Sequence, residues 1–280
     1  MRMRFHSAIV YAAILLPVVA QVGWADIVSY WTFDEGSGTI AYDSASGNDG
    51  TINGAQWTSG VRGTALSFDG EDDYVDCGNE ASTGFSSGDN FTVEAWIKYS
   101  GPTNFRAIAA RHDDIRGTFN YALGLAEGKL VFVADQAYEG AIRLSSNINL
   151  LENLWYHVAG VYDNKSMSVY VNGVEQGSAL FDEGGLTDRG ANFYIGNTGH
   201  WSGYEDIRYF NGVIDELRIY DTALSDTAIL QSYTNVVPVP TALLLGILGL
   251  GHAGMRLKQG SRWVTASRLR LKENYSHVSV

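Results

Sequence analysis

The sequence predicts an all-β protein, an antiparallel sandwich or jelly roll, on three observations. Aromatic and β-branched residues recur in short runs that alternate with period two, turn residues separate those runs, and helical periodicity is nearly absent. Glycine is abundant at 32 residues while proline is held to 4, a balance that supplies turns without interrupting ladders.

The longest alternating run, FTVEAWIKY, places Phe91, Val93, Ala95 and Ile97 on one face and Thr92, Glu94, Trp96 and Lys98 on the other. In MSVYVNGVEQG, Asn172 and Gly173 stand between two strand-like runs. An Asn-Gly pair is a strong hairpin signal because both central turn positions need positive φ. WYHVAGVYD, NFYIGN and GVIDELRIYD read as further strands. The exception is SDTAILQSY: Ser225 can cap a helix, Asp226 suits its first turn, and Ile229 and Tyr233 share a face. Cys77 is the only cysteine, so an internal disulfide is excluded; after the strand-like DYVD it reads as a small buried hydrophobe. Stability then rests on an apolar core, for which roughly 210 residues suffice.

Charge is unevenly spread. Asp26 to Asn235 carries 30 acidic side chains against 11 basic ones. Such a surface repels phosphates, and no basic stripe with interleaved aromatics is present, so nucleic acid is excluded as a partner.

The two ends read differently from the middle. Residues Met1–Ala25 show Arg2 and Arg4, a short apolar run from Ser7 to Ala20, and small residues Gly23 and Ala25 before a cut, which is the pattern of a secretory signal peptide. At the other end, Pro238 and Pro240 stop any preceding element, and Thr241 to Met255 is uncharged and rich in Leu, Ile and Gly. Fifteen helical residues reach roughly 22 Å, short of a ~30 Å hydrocarbon core, so Val236–Leu257 spans a bilayer only marginally. Arg256, Lys258 and Arg262 follow, and the positive-inside rule places Lys258–Val280 in the cytoplasm. The domain itself is then Asp26–Asn235.

Seven pieces of that domain resemble, in order, a LamG-like domain of the concanavalin A-like lectin/glucanase superfamily. They are YWTFDEGSGTIAYDSASGNDGTING, GVRGTALSFDGEDDYVDCG, FTVEAWIKY, WYHVAGVYD, SVYVNGVE, YIGN and FNGVIDELRIYDTALSDTAI. The resemblance implies a jelly roll of two curved antiparallel sheets, with IDELRIY lying beside SYWTFDE. The C-terminal order of prolines, apolar stretch and basic cluster is similar to a PEP-CTERM sorting signal, which implies export and an exosortase-like sorting peptidase as partner. A plain single-span anchor is the alternative, and both place the domain outside the inner membrane.

The chemistry of the domain is read against its fold, which hosts lectins and glycosidases alike. Glycoside hydrolysis needs two carboxylates across a cleft. Glu71–Asp76 (EDDYVD) reads instead as an acidic turn with Asp76 outward, and Asp215 and Glu216 are neighbours on opposite faces of a strand. His157 reads as a structural histidine. The oxygen-rich loop Tyr42–Gly50 suits Ca²⁺, which takes six to eight oxygen ligands. Asp43, Asn48 and Asp215 are the expected ligands, with Asp43 and Asn48 as simple turn caps the alternative. A sugar site needs aromatic platforms and fixed polar groups. Three loops offer them: Arg111, His112 and Asp113 in Thr103–Tyr121, Tyr138 in ADQAYEG, and Trp201, Tyr204 and Asp206 in Thr198–Phe210. Trp201 reads as a platform or as a loop anchor. These readings predict an exported, surface- or matrix-associated, non-catalytic module for glycan or exopolysaccharide. The alternatives are a structural or protein-binding envelope domain, and a glycoside hydrolase-like enzyme.

Overall fold

The computed structural model describes residues 27–101, 104–113, 118–136, 140–180, 186–198 and 209–236. The expected signal peptide, apolar C-terminal helix and basic tail lie outside them. The chain opens with β1 (Ile27–Trp31), β2 (Ile40–Ala41), β3 (Gly50–Asn53), β4 (Gln56–Ser59), β5 (Thr64–Asp69) and β6 (Tyr74–Asp76). Next come β7 (Phe91–Tyr99), β8 (Arg106–Asp113), β9 (Thr118–Ala126), β10 (Lys129–Gln136) and β11 (Gly140–Ser145). β12 (Trp155–Tyr162), β13 (Ser166–Val171), β14 (Val174–Leu180), β15 (Asn192–Ile195) and β16 (Asn211–Tyr220) lead to the helix α1 (Asp226–Val236).

These strands form two antiparallel sheets. Sheet A runs β14-β13-β12-β7-β16-β5-β4, with β1 paired to β16; sheet B runs β11-β10-β9-β8-β15-β6-β3-β2. The core between them takes Phe91, Val93, Ala95 and Ile97 from β7 and Ile108, Leu123, Phe132 and Phe193 from sheet B, all buried. The period-two reading of β7 therefore holds, and the all-β sandwich is the fold. Asn172 and Gly173 form the expected hairpin between β13 and β14, at φ 51° and 78°. β1 lies on β16, Tyr30 opposite Arg218 and Trp31 opposite Leu217, so the two chain ends of the sandwich meet. Ser225 caps α1, its Oγ accepting the Ala228 N–H at 3.3 Å.

The sheets approach closely where Gly160 of β12 faces Phe132 of β10. A methyl group on Gly160 would lie 2.6 Å from Cδ2 and 2.7 Å from Cγ of that buried ring. Gly160→Ala should therefore overpack the core and cost about 1–3 kcal/mol. Urea unfolding should show the midpoint falling at an unchanged slope; an unmoved midpoint would show that the sheets are spaced more loosely here.

Candidate functional site

A sandwich offers a ligand two outer faces, and here one of them is closed. Thr92, Glu94 and Trp96 of β7 and His157 and Ala159 of β12 point away from the core, yet all are buried. α1 covers them. Ile229 is buried in the cluster with Ala159, Val161, Tyr170 and Tyr220, and Tyr233 stacks on Trp96 at 5.7 Å between ring centroids. Tyr170 donates its hydroxyl proton to Asp226 Oδ1 at 2.7 Å, tying the first turn of α1 to β13.

Charge is buried on this closed face. Arg218 Nη1 reaches Glu94 Oε1 at 3.3 Å, and its Nη2 contacts Glu216 Oε2. The Tyr30 hydroxyl donates to Glu216, and the Tyr220 hydroxyl donates to Glu94 Oε1 at 2.8 Å. His157 Nε2 lies 3.4 Å from Glu94 Oε2. Burial alone would raise the Glu94 carboxyl, but His157, Arg218 and Tyr220 outweigh it and hold it down at about 2. Burial, reinforced by Glu216, pushes Tyr30 up to about 12. Glu94 and Glu216 are thus two carboxylates tied to a single guanidinium under a helix, an arrangement that locks strands together.

The outer face of sheet B is built differently. Its floor is small: Ala107, Ala110, Ala122, Ala126, Val131 and Val133 form a separate apolar cluster, with Phe105 and Phe119 packed on it. A Cβ at Gly124 would strike the Phe105 ring, so the floor is shaped to let rings lie across it. Phe105 and Phe119 meet edge to face at 6.4 Å, His112 lies 4.8 Å from Phe119, and the Arg143 guanidinium sits 5.6 Å over Phe105. Across β15 and β6, Tyr74 meets Tyr194 at 6.1 Å and Tyr209 at 6.4 Å. Beside them, Asn192 lies opposite His112, and Asp76, opposite Tyr194, accepts from Asn192 Nδ2 at 3.4 Å and from the Gly78 N–H at 2.9 Å. Phe105, Phe119, Tyr74 and Tyr209 are half-buried, and Arg143 is exposed.

The expected site residues fall in several places. Thr103–Tyr121 contains not a loop but most of the β8–β9 hairpin. Bulges shift its register, and Arg111 faces the interior. There its Nε and Nη2 bind Asp188, and its Nη1 donates to Thr83 Oγ1 at 2.7 Å and to the Glu80 carbonyl. Arg111 is thereby a buried strut. His112 turns outward beside Phe119, and the backbone of Asp113 ends β8. Tyr138, Trp201, Tyr204 and Asp206 lie outside the described residues. The strand ends flanking 114–117 and 137–139 share one end of sheet B; Ile195 and Tyr209, which flank 199–208, lie at the other. Phe105 and Phe119 fall in Thr103–Tyr121 and Tyr209 in Thr198–Phe210, but none of them was singled out there; Tyr74 and Tyr194 lie inside strands, where no sequence mark distinguishes an outer face from a core.

Among the expected calcium ligands, Asp43 and Asn48 share one turn. Asp43 accepts from the N–H groups of Tyr30, Ala45 and Asn48 and from the Ser46 hydroxyl. Asn48 Nδ2 donates to Ser29, Ser46 and Ser82. Asp215 is engaged elsewhere, its Oδ2 accepting from Val61 at 2.8 Å and Arg62 at 3.2 Å. Asp43 and Asn48 are thus engaged as the turn caps of the alternative reading. Asp69, Asp72 and Asp73 do cluster, but Asp69 Oδ1 accepts from Glu71 and Asp72, and Asp73 Oδ2 accepts from Asp69, as acceptors in an acidic turn do. Cys77 is buried, and burial raises its thiol well above the ordinary range.

A model of the family described as the concanavalin A-like lectin/glucanases superfamily matches residues 69–230. No curated protein matches the chain. Among solved structures, the chain is similar to the binding domain of Paraclostridial mosquitocidal protein 1, at 16% identity and a TM-score of 0.61, covering 76% of this chain and 52% of that one. It is similar to domain 4 of AbnA, an extracellular arabinanase from Geobacillus stearothermophilus solved with arabinotriose, at 21% identity and TM-score 0.56, covering 74% and 97%. It is also similar to the ligand binding domain of botulinum neurotoxin serotype D solved with N-acetylneuraminic acid, at 16% identity and TM-score 0.54, covering 76% and 51%. The chain spans about half the length of the two toxin domains. At these identities the likeness shows the fold.

Asp215 gives this region a pH dependence. Burial, with Glu216 nearby, pushes its carboxyl from 3.8 up to about 7 against the opposing N–H bonds of Arg62 and Val61. Between those values the folded chain keeps a proton that the unfolded chain releases, so this group lowers stability as pH rises through the window. Asp215→Asn keeps an acceptor oxygen for Val61 and Arg62 and removes the ionisation. Its Tm advantage over the wild type should grow from pH 4 to pH 7 and then level off. A gap that stays constant with pH would mean that Asp215 is ionised throughout.

Proposed function

The chain belongs to the concanavalin A-like lectin/glucanase superfamily, and from that membership together with the geometry of sheet B we propose that it is a non-catalytic glycan-binding domain. One observation carries the reading. The outer face of sheet B, away from α1, bears two groups of aromatic rings, one of them over a floor of alanine, valine and glycine, with the hydrogen-bonded amide of Asn192 and carboxylate of Asp76 beside them. A pyranose has an apolar face and a rim of hydroxyls, so rings plus fixed polar groups are the surface that suits it.

Two further points support it. The similar domains solved with arabinotriose and with N-acetylneuraminic acid make sugar binding a use to which this fold is put. Catalysis is disfavoured because, among the described residues, the paired acids are committed: Glu94 and Glu216 to Arg218, and Asp69 and Asp73 to their own turn. The export pattern of the N-terminal sequence and the apolar C-terminal stretch put this domain, in our reading, at the cell surface or in an extracellular matrix, where its glycan or exopolysaccharide would be met.

The test is an array of glycans and bacterial polysaccharides probed with the full chain, in calcium and again in EDTA. Tyr74→Ala and Phe119→Ala should each weaken binding roughly 3- to 10-fold, about 1 kcal/mol per platform ring, while Trp155→Ala on sheet A should leave it unchanged. Loss confined to Trp201→Ala would move the site to segment 198–210. Silence from a folded chain in both conditions would favour the protein-binding alternative.

A further inference from the structure

One end of the sandwich exposes a series of aliphatic side chains. Leu150 anchors the β11–β12 connection, its N–H donating to the Gly128 carbonyl at 2.7 Å, and the Asn153 N–H donates to the Tyr99 carbonyl at 2.8 Å. Held between these anchors, Ile148, Leu151 and Leu154 project into solvent at 42%, 64% and 50% exposure. Trp155 follows, with the Lys98 ammonium 5.3 Å over its ring. Exposed aliphatics scattered singly need no explanation. Three at a spacing of three residues on one connection, next to a Trp–Lys pair, form the set of side chains found where protein meets the lipid–water boundary.

α1 runs to this same end. It starts beside Thr92, whose Oγ1 accepts the Leu224 N–H, and by Tyr233 it has reached Trp96, His157 and Gly173. On β7 and β12 that direction leads to Lys98 and Trp155. After Val236 only four residues precede Thr241, and from Thr241 to Met255 the sequence is uncharged and apolar. Five residue steps span at most ~18 Å of extended chain. If the stretch from Thr241 enters a bilayer, the lipid surface lies within that reach of the end bearing Leu151.

We propose that the Ile148–Leu154 connection is a membrane-docking loop that seats its aliphatic side chains in the lipid–water boundary. The proposal rests on reading Thr241–Met255 as the membrane element. The lipid preferred is set by charge. Asp69, Glu71 and Asp72 are exposed at this end, because Asp69 pairs with Asn211 beside Tyr99 and Lys98. They repel an anionic surface, so docking is apolar in origin and strongest on zwitterionic lipid. It also directs the strand ends at Asp113 and Gln136, at the far end of sheet B, away from the bilayer.

The full chain, reconstituted into phosphatidylcholine vesicles, tests this with an environment-sensitive dye at Leu151→Cys in a Cys77→Ala background. A second sample carries the dye at Leu180→Cys, a position 88% exposed at the opposite end. The dye at 151 should shift to the blue and be quenched by nitroxide lipids, and the dye at 180 should do neither. Leu154→Asp, or added anionic lipid, should reduce the quenching at 151 while the chain still floats with the vesicles. A floating chain whose dye at 151 stays as wet as that at 180 overturns the docking loop alone. A chain that does not float overturns the membrane reading of Thr241–Met255, and the docking loop with it.

Discussion

Arg218 holds two carboxylates on the outer face of a sheet, and the rest of the molecule is arranged around keeping that group dry. Glu94 is fully buried and Glu216 almost so. Buried charges are tolerated only when paired and hydrogen-bonded, and removing one partner from such a group typically costs about 3–5 kcal/mol. The network needs three strands in register: Tyr30 on β1, Glu94 on β7, and Glu216 and Arg218 on β16. It also belongs to a face that α1 covers, through Tyr170 with Asp226 and Trp96 with Tyr233. Closing that face has two consequences. The first strand of the sandwich is locked to the last, and α1 occupies the outer side of sheet A.

Some of this was legible in the sequence and some was not. Strict alternation from Phe91 to Tyr99 gave the two faces of β7, and Asn172-Gly173 gave its hairpin, because each depends on local stereochemistry alone. The meeting of β1 and β16 came only through family resemblance. The orientation of Arg111 was hidden by the bulge at Ile108 in β8, which brings Ile108 and Ala109 to the core together and so turns Arg111 inward and His112 outward. Thr92, Glu94 and Trp96 were correctly placed together, on the face opposite Phe91, Val93, Ala95 and Ile97. That α1 would bury them depends on tertiary packing, which a period of two does not encode. The floor of sheet B was hidden for a related reason. Ala107, Ala110, Ala122 and Gly124 look like unremarkable filler until the register aligns them across two strands.

Structure and direction are linked. α1 closes sheet A and also carries the chain out at the end bearing Leu151 and Leu154, opposite the strand ends at Asp113 and Gln136. Under the proposed tethering, the strand ends at Asp113 and Gln136 point away from the membrane and the outer face of sheet B stands along the side. Aromatic strips set across strands, rather than a closed pocket, suit a chain of sugars lying over the face.

The most direct test of that face is the alanine methyl spectrum of the full chain, titrated with the glycan it binds best. Ala107, Ala110, Ala122 and Ala126 cluster with Phe105 and Phe119 on the outer face of sheet B, and Ala159 and Ala228 lie under or within α1. Ring currents make the floor methyls sensitive to any movement of Phe105 or Phe119. The account predicts shifts for the first group and still resonances for the second. Shifts confined to Ala159 and Ala228 would place the ligand on sheet A and contradict it.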